Sequence, residues 1–530
     1  MSQKKQQAAP SGSEKDISRS ILLALAFAEG ALVIVSEMLG AKLMASFFGN
    51  SLAVWTSVIT VTVTFLTLGY FFGGKLSQKQ QKRKKLAFLF IIAAFFMACM
   101  PVWANFFFIK FSESTLVGGA IGTAIFLIGP STLCLGMSSP IIIQLLNEHG
   151  LNAGSAAGKT YAISTLAGIL STLIIGFYLL PNLGISVPLM ISAFILLALS
   201  FWLRFSYLQI GIALLVVILF VTDLGKKEYS GKLFKQLYLT EGMMGQLKVM
   251  DQRVIGSDLN YRLLFINGIP QTIIQNSPEV NSFWKYVHRI SSAASLKKGK
   301  KALLIGVGGG ALAHELQQLD FELDMVDIDR RMFEIAQKHF YFQPDQDTKF
   351  TEDDARHFIK TCSKKYDLIV LDICSGEVQP SNVFTSEGIE EMKKILSPDG
   401  LILIQYQEML DPVEISGSQS IAKTFRKADF EVYVNIEEGD ISSVVMACSP
   451  QKTDFSLIDS THITPNVWSQ NWKLEEIRSA FQPYEIKDAQ SLILTDDRPI
   501  LEHLNGQTIE AWRKTMIKNY GLPFLQTEND

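Results

Sequence analysis

Cysteine, histidine and, over the first half of the chain, charge are what this 530-residue sequence has little of. The five cysteines, Cys99, Cys134, Cys362, Cys374 and Cys448, form an odd and scattered set with no C-x-x-C and no histidine at ligand spacing. Neither a disulfide framework nor a zinc site is indicated, and no metal is expected. The net charge of -3 comes without a basic groove or aromatic-basic interleaving, so nucleic acid is not an expected partner. The first apolar run is too long for a signal peptide and lacks a small-residue cleavage site, so it is expected to stay in the membrane.

What is present is two materials in series. Nearly all the apolar excess lies between Ile21 and Val221, and the charged residues crowd in after Asp223. A helix needs about 20 apolar residues to cross the hydrocarbon core. Runs of that kind stand near 21–48, 51–74, 86–108, 116–146, 160–180, 184–203 and 206–222, which predicts an α-helical transmembrane bundle of about seven spans. The lysine- and arginine-rich stretch from Lys75 to Lys85 is the densest positive cluster in this half and places that loop in the cytoplasm. Lys4, Lys5, Lys15 and Arg19 place the N-terminus there too. Glu29, Glu37 and Lys42 fall at membrane depth, where ionisable groups usually face a bundle interior. They read either as internal pairing and snorkelling or as a site for a cationic substrate. Ser164, Gly168, Thr172 and Gly176 recur every four residues, a small-residue stripe that lets helices pack closely.

From Lys301 onward the pattern alternates. Ala302–Ile305, Phe321–Val326, Tyr366–Leu371 and Leu401–Tyr406 read as strands, with helices near 311–319, 330–339 and 386–395 between them. That is a doubly wound sheet, whose ligands bind beyond the carboxyl ends of the strands. Gly306-Val-Gly308-Gly309-Gly310 follows the first strand, where missing side chains let backbone approach a ligand. Asp327 follows the second, in the position of a carboxylate that accepts from ribose hydroxyls. Asp353-Asp354-Ala355-Arg356 follows a short strand at Thr348–Thr351, Asp372 ends Tyr366–Leu371, and Pro398-Asp399-Gly400 reads as a turn.

The order Gly-loop, acid, D-A-R, Y-D-L-I-V-L-D and P-D-G resembles the aminopropyltransferase and class I methyltransferase families. Gly245–Asp251 and Arg262–Gln271 look like strands of the small β domain of spermidine synthases. Thr495-Asp-Asp-Arg-Pro-Ile-Leu-Glu502 and the Gly-rich spans are similar to membrane-fused spermidine synthase-like proteins. The resemblance implies a polar tail at 1–20, a transmembrane domain at 21–222, a small β subdomain at 236–295, a Rossmann-like domain at 296–515 and a C-terminal tail at 516–530. It also implies an aminopropyltransferase acting on decarboxylated S-adenosylmethionine, or on S-adenosylmethionine itself, with a small-molecule amine such as putrescine as acceptor. Asp372 would be catalytic. Gly306, Gly308, Gly310, Asp327, Asp354 and Gln246 would hold the nucleotide, and Gln271, Tyr286, His288 and Glu377 would contact the acceptor.

Two departures stand against this. The acid of the family's G-G-G-D-G-G loop is Gly309 here, and the second acid of its D-S-x-D segment is Ser375, so the amine half is stripped while the nucleoside half is kept. Three readings follow: a membrane-bound aminopropyltransferase, an S-adenosylmethionine-dependent methyltransferase, or a transporter or sensor whose soluble domain binds a nucleoside or polyamine. The expected location is the cytoplasmic (inner) membrane, with lipid as a partner and homo-oligomerisation left open. A cytosolic donor favours a cytoplasmic soluble domain. The run 116–146, broken by Pro130 and Pro140, would then be a kinked crossing or a crossing plus a re-entrant piece.

Overall fold

The computed structural model describes residues 17–49, 51–111, 114–225, 233–242, 244–254, 256, 259–298, 300–374, 379–410, 414–463, 481–516 and 518–519. Ser375 and Glu377 lie outside the described residues, as do most of the expected tails. Contacts divide the chain into two compact units. One comprises 1–43, 56–107 and 121–223, and the other 44–55, 108–120 and 224–530.

The first unit is helical. Among the described residues six helices are long and apolar enough to cross a membrane, by length and composition: Arg19–Phe48, Leu52–Ser77, Lys82–Phe111, Gly129–Glu148, Ala153–Leu183 and Ser186–Leu203. The expectation of about seven spans and these six helices differ at two places. The run 116–146 is two helices, Leu116–Leu127 and Gly129–Glu148, with Pro130 in the first turn of the second, where its missing N–H breaks no helical bond. The last apolar run gives the helix Tyr207–Gly225, whose apolar part, Tyr207–Leu219, falls short of a full span. The small-residue stripe packs as its spacing suggests. A side chain on Gly168 would press on Ile34, Ser171 Oγ donates to the Ala31 carbonyl at 3.3 Å, and Ser164 Oγ donates to Glu29 at 3.1 Å. Glu29 thus takes one bond from the stripe and another from Ser139.

The second unit carries two sheets. The smaller is an antiparallel meander of β1 (Phe234–Gly242), β2 (Gly245–Arg253), β3 (Asn260–Ile266) and β4 (Ile269–Gln275). Asn267 and Gly268 both have positive φ, the conformation a two-residue hairpin needs, so the stretch 262–271 is a hairpin with its turn in the middle.

The larger sheet contains β5 (Lys301–Ile305), β6 (Glu322–Asp327), β7 (Thr348–Glu352), β8 (Tyr366–Leu371), β9 (Leu396–Glu408), β10 (Glu431–Glu437), β11 (Ser442–Ser449) and β12 (Gln482–Pro483). Their order is β12-β10-β11-β9-β8-β5-β6-β7, with β7, β6, β5, β8 and β9 parallel. The chain winds outward in one direction from β5 and in the other from β8, so the switch point lies between these two strands. Alternation on each strand supplies two cores. Leu304, Met325, Val370 and Leu403 bury on one face, and Leu303, Val326, Leu371 and Ile404 on the other. Pro398-Asp399-Gly400, expected as a turn ahead of the strand, instead sits inside β9. There the register jumps from Tyr366↔Leu396 to Leu368↔Leu401, so these residues form a bulge rather than a boundary.

Candidate active site

The switch point brings the chemistry together. Gly306 directly follows β5 and Asp372 directly follows β8, and the Asp372 N–H donates to the Ile305 carbonyl at 2.9 Å. Gly306, Gly308 and Gly310 have φ of 92°, 53° and 78°, a region in which side chains are strained. Gly310 begins the helix Ala311–Gln317, and β4 supplies the floor of this loop: Thr272 Oγ1 accepts from the Gly309 N–H at 2.8 Å.

Beside this loop lies a cavity of about 330 Å³, lined among others by Gly306, Gly308, Asp327, Asp353, Asp354 and Asp372. That volume is within the roughly 300–1,000 Å³ usual for small-molecule sites. Asp327 ends β6 and is fixed by two backbone donors, Val307 N–H at 2.9 Å and Asp329 N–H at 2.9 Å. Burial pushes its carboxyl up to about 6 in spite of those bonds. Asp354 caps the helix Ala355–Thr361 by accepting from the Arg356 and His357 N–H groups, while still lining the cavity.

A second, smaller cavity of about 50 Å³ adjoins the first. Gln271, Trp284, Tyr286, Asp372, Ile373 and Cys374 line both, so Asp372 stands where the two meet. The Tyr286 hydroxyl donates to Asp372 at 3.2 Å. Burial pushes the Asp372 carboxyl up to about 7, with the tyrosine bond opposing, and burial and the neighbouring Asp372 raise the Tyr286 hydroxyl well above its ordinary value. A half-buried carboxylate titrating near neutrality between two cavities can take up a proton from a ligand in either.

Of the acceptor residues expected from the sequence, Gln271 and Tyr286 line the small cavity, and Glu377 lies outside the described residues. His288 is not a lining residue of either cavity. It is 1% exposed and pairs through Nδ1 with Glu315 at 2.6 Å, because the helix Lys285–Ala294 turns this face into the core. Gln246 does not line them either: its side chain donates to Glu241 at 3.4 Å and its N–H to Asn267 at 3.0 Å, both within the small sheet. Thr272, Trp284, Gln379, Gln405, Asn505 and Trp512 line one or both cavities and were not singled out from the sequence. They come from four distant parts of the chain with no shared motif. Among the described residues no group of three or more His, Cys, Asp or Glu side chains is placed to hold a metal ion.

Sequence comparison locates the same region. Residues 288–442, which contain Asp327, Asp354 and Asp372, match the spermine/spermidine synthase domain family. The polyamine aminopropyltransferase of Vibrio vulnificus is 35% identical over 136 residues, covering 24% of this chain and 45% of that protein. Polyamine aminopropyltransferase 2 of Aquifex aeolicus is 23% identical over 435 residues, covering 79% of this chain and 84% of that protein. A spermidine synthase structure from Thermotoga maritima aligns with a TM-score of 0.32 at 16% identity, covering 55% of this chain and 89% of that one. The chain therefore spans less than half the length of the first of these relatives and most of the second. Residues 288–442 thus match a spermine/spermidine synthase domain, and polyamine aminopropyltransferases are among the proteins to which the chain is similar.

Proposed function

We propose that the chain is a membrane-anchored polyamine aminopropyltransferase, taking the aminopropyl group of decarboxylated S-adenosylmethionine and passing it to a small amine. The observation that carries this reading is Asp372 at the meeting of the two cavities, bonded to Tyr286 and half-buried. The larger cavity suits the nucleoside, with Asp327 toward the ribose, Asp354 toward the adenine amino group and Gly306, Gly308 and Gly310 letting the backbone approach. The acceptor nitrogen forms a bond to the aminopropyl carbon, the carbon–sulfur bond breaks with its electron pair returning to sulfur, and methylthioadenosine leaves. The nitrogen sheds one proton, which Asp372 accepts.

A methyl transfer from S-adenosylmethionine is the second reading. It is favoured by Thr272, which packs on Gly309 where the family's loop carries an acid. Purified protein given each sulfonium donor with 1,4-diaminobutane decides between them. Methylthioadenosine and a lengthened polyamine by mass spectrometry support the first, S-adenosylhomocysteine supports the second, and donor binding without turnover overturns both.

The apolar helices support anchoring in the cytoplasmic membrane, and the domain limits 21–222, 236–295 and 296–515 belong to the same reading. Six crossings from a cytoplasmic start return the chain to the cytoplasm, where the donor is made. A reporter fused after Asp530 is expected to register as cytoplasmic, and a signal from the far side overturns this orientation.

A further inference from the structure

The small cavity sets side-chain amides among apolar and aromatic groups, with Asp372 its one charged lining residue among those described. Gln405 on β9 and Asn505, at the start of the helix Gly506–Met516, are 5% and 6% exposed. Each has a side-chain carbonyl oxygen that is buried and has no hydrogen-bond partner among the described residues, and Gln379 Oε1 is in the same condition. Their amide nitrogens explain the orientation. Gln379 Nε2 donates to the Gln405 main-chain carbonyl at 2.7 Å, Asn505 Nδ2 to the Gln407 carbonyl at 3.2 Å, and Gln405 Nε2 to Ser443 Oγ at 3.2 Å. A main-chain carbonyl only accepts, so the Gln379 and Asn505 amides cannot be turned round without setting oxygen against oxygen. All three residues line the small cavity, together with the rings of Trp284 and Trp512, whose centroids are 6.0 Å apart. Among the described lining residues Asp372 is the sole carboxylate.

Buried acceptors left without donors cost free energy unless a ligand supplies the donors. The two fixed oxygens of Gln379 and Asn505, with that of Gln405 as the third in the orientation seen, match the three N–H donors of a primary ammonium, whereas a carboxylate or phosphate head would bring more oxygens and a hydroxyl only one donor. Aromatic faces add attraction for a cation. The volume of about 50 Å³ has room for a head of only a few atoms, a water needing roughly 10–15 Å³ on the same measure. Resting on the aminopropyl-transfer reading, we propose that this cavity is a neutral clamp for the far end of the acceptor. Asn505, Gln405 and Gln379 hold a primary ammonium by their carbonyl oxygens, and Trp512 and Trp284 enclose it, so the acceptor's second charge is recognised without a second carboxylate. Asn505 and Trp512, carried on the C-terminal segment, are then specificity determinants for the acceptor.

The test uses the full chain in detergent and two readouts: steady-state aminopropyl transfer to 1,4-diaminobutane, and calorimetric binding of 1,4-diaminobutane in the presence of methylthioadenosine. Asn505→Ala and Trp512→Ala are each expected to weaken diamine binding and raise its KM by about 10- to 100-fold, with methylthioadenosine affinity unchanged. Gln405→Glu, whose new carboxylate can accept from the Ser443 hydroxyl, is expected to lower the diamine KM. Replacing the diamine by 1-aminobutane should reproduce the Asn505→Ala loss in wild type and add nothing further in the variant. The clamp is overturned if the diamine KM and binding stay within twofold in Asn505→Ala and Gln405→Glu, or if wild type does not bind the diamine. It is overturned equally if Glu377→Gln alone causes the whole loss. Diamine binding that depends on Asn505 in a protein that transfers nothing would leave the clamp standing and sink the aminopropyltransferase reading. Transfer that is indifferent to Asn505 would do the reverse.

Discussion

The main-chain oxygen of Asp372 occupies the space that a side-chain carbon on Gly306 would need. The first loop of the sheet and the loop that bears the carboxylate are therefore in backbone contact across the switch point. Gly306 is required for two reasons, its φ of 92° and this approach. Replacing it moves Asp372 as well as the glycine loop.

Gly306→Ala is accordingly expected to lose both methylthioadenosine binding and transfer. The left-handed backbone alone costs about 1–3 kcal/mol of stability, and the displaced Asp372 adds to it. Calorimetry of nucleoside binding beside a thermal melt checks this. A variant that binds normally with an unchanged melt would show that the two loops are not coupled.

The glycine at 309 has a different cause. A Cβ there would lie 2.8 Å from the Thr272 methyl and 3.0 Å from its hydroxyl, so this chain has closed the space in which the family's loop carries an acid. Restoring the acid by Gly309→Asp is expected to destabilise by about 1–3 kcal/mol through overpacking rather than to improve activity. Joining it to Thr272→Gly should recover part of the loss, which a double-mutant cycle on thermal or denaturant stability measures. Additive effects would separate the two residues.

Much of the large sheet was legible from the sequence, because its strands are continuous apolar runs ending in Gly306, Asp327 and Asp372, and a doubly wound sheet exposes those positions at one edge. The large cavity is encoded locally, with Asp327 the last residue of its strand and Gly306 and Asp372 the first after theirs. The small cavity is not. Gln379, Gln405, Asn505 and Trp512 meet only through tertiary packing, and amides and tryptophans carry no spacing signal of their own. His288 misled for the opposite reason: its nearness in sequence to Tyr286 suggested a shared role, but on a helix the two side chains point to different faces. Helix length was only partly legible: of the two prolines that interrupt the apolar run 116–146, Pro130 marks a break at Ile128 while Pro140 stays inside the second helix.

His288 and Glu315 form a buried pair, and breaking it is expected to act on stability and not on acceptor recognition. His288→Ala leaves the Glu315 charge without its partner at a cost of about 3–5 kcal/mol. The pairing raises the His288 pKa and, from the other side, lowers that of Glu315, burial opposing both. The histidine's contribution is therefore full below its ordinary value of 6.5 and fades as pH rises through the elevated one, while the glutamate's is present above 4.5 and lost as pH falls through the depressed one. Wild type is expected to lose stability relative to His288→Ala at both ends of that window, with the diamine KM of the folded variant unchanged. A raised diamine KM in a variant of normal stability would return His288 to the acceptor site.

Asp372→Asn separates binding from chemistry. The carboxyl is pushed up to about 7 by burial and bonded to Tyr286, so in the free protein it is largely protonated below that pH and ionised above it. Only the ionised form can accept the proton that the attacking amine sheds, so kcat/KM for the acceptor should rise about tenfold per pH unit below 7 and level off above it. The amide keeps the shape and can still accept from the Tyr286 hydroxyl, but it takes up no proton at neutral pH. A fall of about 10²–10⁴-fold in kcat, with methylthioadenosine affinity nearly unchanged and the acid limb near pH 7 gone from the profile, is the expected signature. A residue that merely closes the loop after β8 would predict something else. Asparagine would fill that place, and both the rate and the limb would survive. Wild-type turnover by Asp372→Asn would make the carboxylate structural and remove the proton acceptor on which the aminopropyl-transfer reading depends.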